Sequence, residues 1–123
     1  MILVDTSVWV DHFRSVDPVL HDLLIHKQVL VHPFVIGELA LGPPDQREAA
    51  LGSMPLMRSA VVASDPDVWT MIDRYALFGR GIGYVDVHLL ASTVLTPDTH
   101  LWSQDRHLNA AAEVLGIAAR LIH

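Results

Sequence analysis

The sequence predicts an α/β domain: a parallel sheet of short strands covered by helices on both faces. Three observations predict it. Four apolar runs, at residues 1–4, 29–31, 60–63 and 100–102, are short and lack polar alternation. Strands of that kind are buried on both faces, as in parallel sheets. Between the runs lie longer segments with helical spacing, each opened by a cap or proline and several closed by glycine. Strand and helix therefore alternate along the chain, which is the order of an α/β fold. A length of 123 residues fits one domain, and 51% hydrophobic residues supply a self-sufficient core.

Each element follows from local chemistry. Met1-Ile2-Leu3-Val4 reads as a buried strand. Thr6 or Ser7 can cap the next helix, whose apolar side carries Val8, Trp9 and Phe13. Asp17-Pro18 opens a second helix, with Val19, Leu20, Leu23 and Leu24 at helical spacing. Residues 29–31 form a second strand. Pro33 starts a helix carrying Phe34, Ile36, Leu39 and Leu41, stopped by Gly42-Pro43-Pro44. Residues 45–51 form a short helix ended by Gly52, and residues 60–63 a third strand.

Ser64-Asp65-Pro66-Asp67 is a strong helix start. Its amphipathic face runs through Val68, Trp69, Ile72 and Tyr75 to a stop at Gly79-Arg80-Gly81. Asp86 begins a helix that reaches about Leu95, and Thr96-Pro97-Asp98-Thr99 is a turn. Residues 100–102 are a fourth strand. A helix then spans residues 105–115 and ends at Gly116; residues 118–122 form a possible fifth strand. The three tryptophans, Trp9, Trp69 and Trp102, are expected in the core.

Composition narrows the function classes. No cysteine is present, so disulfides, thiolate zinc sites and cysteine nucleophiles are excluded. That usage fits a reducing, cytoplasmic setting. No apolar run reaches the ~20 residues of a membrane span. Asp5 interrupts the first apolar run and no basic segment precedes it, so no secretory signal is expected. The net charge of −6 argues against a general basic surface for nucleic acid, though Arg14, Arg74, Arg80 and Arg106 remain available for a local one.

Four acids stand in or beside apolar sequence: Asp5, Glu38, Asp86 and Asp105. Each alone has a structural explanation, since Asp5, Asp86 and Asp105 can each cap a helix. Glu38 lies within an apolar helix segment, where an unpaired buried Glu is rare. Asp5 ends strand one and Asp105 follows strand four, at the sheet edge where α/β proteins place their sites. Carboxylates gathered there repel unless a cation relieves them. An oxygen-only set selects magnesium or manganese over zinc. Metal-assisted phosphodiester hydrolysis is the chemistry that follows. Gly79-Arg80-Gly81-Ile82-Gly83 has no Lys-Ser/Thr ending and reads as a turn rather than a phosphate loop.

Four segments in series carry a resemblance: Val4-Asp5-Thr6-Ser7-Val8-Trp9, Gly37-Glu38-Leu39, residues 81–92 around Asp86, and Leu101-Trp102-Ser103-Gln104-Asp105. In order and spacing the chain resembles a PIN domain, specifically a VapC-type toxin ribonuclease of toxin–antitoxin pairs. The resemblance implies a three-layer α/β/α fold with strand order 3-2-1-4-5 and a magnesium- or manganese-dependent endoribonuclease. It places Asp5, Glu38, Asp86 and Asp105 on the family's acidic quartet, with Ser7 and Ser103 as supporting hydroxyls. Asp5, Asp86 and Glu38 are then expected to hold a first metal, and Asp105 to complete the site or hold a second. Arg80 and Arg106 are the candidate phosphate contacts. A cognate VapB-type antitoxin, an RNA substrate, and a homodimer or higher complex with the antitoxin are the expected partners. A binding module that captures RNA or a partner without cutting is the rival reading, and DNA cleavage by the same chemistry is a third.

Overall fold

A computed structural model describes residues 1–122. Its elements, in chain order, are β1 (Ile2–Val4), α1 (Thr6–Arg14), α2 (Pro18–Ile25), β2 (Val29–Leu30), α3 (Pro33–Ala40), α4 (Pro44–Ser53), α5 (Asp65–Arg74), α6 (Tyr84–Leu95), β3 (His100–Trp102) and α7 (Arg106–Val114), with a 3-10 turn at Met54–Leu56. The strands form one open parallel sheet in the order β2-β1-β3. Ile2 and Leu3 pair with Val29 and Leu30 on one side. Ile2, Leu3 and Val4 pair with His100, Leu101 and Trp102 on the other.

The central strand is sealed. Leu3 and Val4 have no exposed surface, and Leu30 and Leu101 beside them are buried as well. Above and below, Val8, Leu20, Val35, Leu39, Met54, Val68, Leu89, Leu90 and Leu108 complete a continuous core. Because all three strands run the same way, their carboxyl ends deliver Asp5, the Val31-His32 pair and Ser103 to one edge.

The sheet has three strands rather than four to five. Residues 60–63 form no strand: Val61 and Val62 are about half exposed. Their segment meets β2's continuation only at the bridge Val31↔Ser59. The cause is competition for the backbone amides. The Val61 N–H donates to Thr96 Oγ1 at 2.9 Å and the Ala63 N–H to Ser92 Oγ at 3.3 Å, so hydroxyls of α6 and its C-cap take donors a ladder would need. Residues 118–122 likewise reduce to the bridge Leu101↔Ala118. There Leu101 N–H donates to Ile117 and Ala119 N–H to Leu101. The two bridges add one residue at each edge of the sheet.

Smaller differences have local reasons. Asp5, not Thr6 or Ser7, is the N-cap of α1. Helix α4 runs through Gly52 to Ser53, where the 3-10 turn takes over. Helix α5 ends at Arg74, because Ala76 takes a positive φ of 49°. Helix α6 starts two residues before Asp86, which occupies its first turn. Trp9 and Trp102 are buried, but Trp69 is 57% exposed and lies outside the core. Among the described residues, no helix is long and apolar enough to cross a membrane.

Candidate active site

Asp5 leaves β1 with an extended backbone and caps α1. It is 6% exposed, and three donors fix its carboxylate. Oδ1 accepts the Thr6 N–H at 2.8 Å; Oδ2 accepts Ser103 Oγ at 2.8 Å and Ser7 Oγ at 3.1 Å. Both serines reach further. Ser103 Oγ accepts the Asp105 N–H at 2.9 Å, and Ser7 Oγ accepts the Gln104 N–H at 3.1 Å. Asn109 Nδ2 anchors the Ser103 carbonyl at 2.6 Å. The ends of β1 and β3 are thus joined by hydroxyls whose donor and acceptor capacity are both in use.

Asp105 N-caps α7, accepting the Leu108 N–H on Oδ1 at 3.0 Å. Asp86 sits in the first turn of α6 and accepts the Gly83 N–H at 3.1 Å. Its carboxyl is pushed above the usual range, by burial first and then by the charges of Asp5, Asp105 and Glu38; the Gly83 hydrogen bond opposes this. The four acids therefore share one electrostatic neighbourhood. Glu38 differs from expectation: it is exposed on α3 rather than held in an apolar face. Its Oε1 accepts Thr6 Oγ1 at 2.7 Å. Capping and gathering thus coincide in three of the four acids.

As they stand, the carboxylates do not close into a cage. Among the described residues, no group of three His, Asp or Glu side chains is placed to hold a metal ion. The donor set itself, carboxylates backed by hydroxyls with no thiolate, suits a hard divalent cation. Such an ion would relieve the repulsion that raises Asp86.

The two candidate arginines are both exposed but differ. Arg80 is turned back on its own loop, where Nε donates to the Ala76 carbonyl at 3.0 Å. Arg106, next to Asp105 on α7, has a side chain free of hydrogen bonds and ion pairs among the described residues. Gly81 has φ +76°, and a Cβ there would stand 3.5 Å from the His107 ring. The loop that presents Gly83 to Asp86 therefore lies against the helix that carries Asp105.

Sequence reasoning missed three polar arrangements, of which that of Thr6 touches the acids of the site. Thr6 was read only as a helix cap. His32 N-caps α3: its Nδ1 accepts the Phe34 N–H at 3.0 Å, so Nε2 carries the proton and faces Ser92 Oγ at 3.1 Å. Burial, and then the neighbouring His88, lower the His32 pKa to about 4. Asp65, read as a helix-end residue, also accepts Tyr84 Oη at 2.6 Å and faces His88 Nε2 at 3.0 Å. Those two bonds, Tyr84 first, lower its pKa. The His88 ring is buried between Phe34 and Tyr84, at 4.8 Å from each centroid, and its Nδ1 has no hydrogen-bond partner among the described residues. Only the Pro33 that fixes the start of α3 hinted at the His32 cap.

No family model matches the chain. It is 42% identical over 118 residues to ribonuclease VapC32 of Mycobacterium tuberculosis, in strains CDC 1551 and H37Rv alike. The match covers 96% of this chain and 95% of the relative. At that identity over nearly the whole length of both proteins, the chain belongs to the VapC ribonuclease family.

Proposed function

We propose that the chain is a magnesium-dependent endoribonuclease of PIN type, with manganese as a substitute, and the toxin of a toxin–antitoxin pair. The observation that carries this is the hydrogen-bonded chain Glu38–Thr6–Asp5–Ser103–Asp105, which ties three of the acids together at the carboxyl edge of the sheet. Kinship to a ribonuclease at 42% identity supports the substrate. A cognate VapB-type antitoxin as partner belongs to the same reading, as does a homodimer or a higher complex with that antitoxin.

Asp5, Glu38 and Asp86 would hold the ion, with Asp105 completing the site. When bound, it supplies a water of lowered pKa and neutralises charge on the phosphate being cleaved. The chain's own groups set the geometry. Ser7 and Ser103 fix the Asp5 carboxylate; the Gly83 N–H fixes Asp86. Arg106 stands at the N-terminus of α7, where its guanidinium would meet a phosphate oxygen.

The test is cleavage of an unpaired RNA and its matched DNA with magnesium, with manganese and with a chelator. RNA cut by either ion, DNA spared and chelated enzyme silent is the expected outcome. Cleavage that survives chelation would overturn the metal role. DNA cut in preference to RNA would overturn the substrate. RNA bound but intact in both ions would point instead to a binding module, a reading that the charge of −6 motivates and the four intact acids argue against.

A further inference from the structure

Glu38 and Asp105 are the exposed acids of the four, and of these only Glu38 caps no helix. A glutamate on a helix surface samples many rotamers, and ordering it costs conformational entropy. Its single side-chain partner among the described residues is the Thr6 hydroxyl at 2.7 Å. The same residue's N–H donates to Asp5 Oδ1 at 2.8 Å. Thr6 is the first residue of α1, and Glu38 belongs to α3, which packs against α1. One residue thus holds two acids, from two elements, by two different donors.

We infer that Thr6 is a positioning residue for metal binding: its hydroxyl sets the direction of Glu38 relative to Asp5. The inference rests on the proposed metal site and deepens it. A hydrogen bond to a charged acceptor is among the stronger ones. It occupies Oε1 and leaves Oε2 directed but unoccupied, so Glu38 enters the site as an oriented ligand rather than a mobile one. Valine at position 6 keeps the shape and the N–H to Asp5 but removes the hydroxyl. Serine keeps both donors. Partners of ligating carboxylates are typically worth 10- to 100-fold in metal affinity.

The experiment is manganese binding, followed by calorimetry or by the electron spin resonance signal of the free ion. It uses the full chain as wild type, Thr6→Val, Thr6→Ser, Glu38→Ala and the Thr6→Val/Glu38→Ala pair, with the thermal midpoint of each. Thr6→Val is expected to weaken binding about 10-fold at an unchanged midpoint, and Thr6→Ser to restore it. In the Glu38→Ala background, Thr6→Val should add no further loss. Wild-type affinity in Thr6→Val, no restoration by serine, or an undiminished loss without Glu38 would each overturn the inference while leaving the metal site standing. Should Thr6→Val fail to fold, Thr6→Ala serves in its place with the same expectations. A wild-type chain that binds no manganese would overturn both.

Discussion

At the scale of single residues, three of the acids do double duty. Asp105 caps α7 through Oδ1 and also faces the acidic neighbourhood of Asp86. The two roles separate by substitution. Asparagine caps a helix as well as aspartate does, whereas alanine does not. Asp105→Asn should therefore keep the stability of the wild type and lower RNA cleavage at least about 10-fold, a loss of the size that outer metal partners produce. Asp105→Ala should lose the same activity and about 1 kcal/mol of stability besides. Denaturant midpoints beside cleavage rates check this, and an Asn variant of full activity would reduce Asp105 to a cap. The sequence displayed both possibilities without separating them, because the spacing that caps a helix also sets a carboxylate at the sheet edge.

At the scale of elements, the cap of α3 makes a pH prediction. His32 has no exposed surface and is held neutral. Unfolded, it takes up a proton as pH falls through its ordinary 6.5; folded, it resists until about 4. The unfolded state then binds more protons, so His32 costs stability as pH drops from 6.5 toward 4 and nothing above that window. The loss should be on the order of 3 kcal/mol across the window. His32→Asn retains a capping side chain without the titration, so its stability should fall less steeply between pH 6.5 and 4.5. Parallel curves for the two proteins would refute this account. Pro33 marks the start of α3, but the Ser92 partner was not legible, since it approaches His32 from 60 positions away.

Helices were the more legible elements. Pro18, Pro33 and the Ser64 to Asp67 box start helices where their chemistry says they should, and α5 has the full capping box. Strand three misled because apolar composition is a statement about burial, whereas a strand also needs free amides. Thr96 and Ser92 consume two of those, and neither is visible from residues 60–63. Glu38 misled for a related reason: α3 is apolar on average, yet its Glu38 side faces solvent.

At the scale of the whole molecule, the parallel sheet does the gathering. Strands β1 and β3 run side by side and end together, so Asp5 and Ser103, 98 positions apart, come within one hydrogen bond. That juxtaposition was legible from strand order and the four acidic segments. The hydroxyl link from Thr6 to Glu38 was not, because sequence alone does not set the rotation of α1 against α3. The net charge of −6 sits partly in this cluster, so a bound cation would offset both the local repulsion and some of the global charge.

The most direct test of the central claim, that these acids form one metal-dependent cleavage site, is RNA cleavage by Asp5→Asn beside wild type in saturating magnesium or manganese. Asparagine keeps the cap of α1 through its Oδ1 and removes the charge, while its amide nitrogen replaces the oxygen that accepts Ser7 and Ser103. The account predicts a chain that still unfolds cooperatively, at a midpoint lowered by the lost serine bonds, and a rate at least about 100-fold lower, the upper end of what partners outside the metal shell produce. A folded Asp5→Asn chain that cuts RNA at the wild-type rate would contradict it.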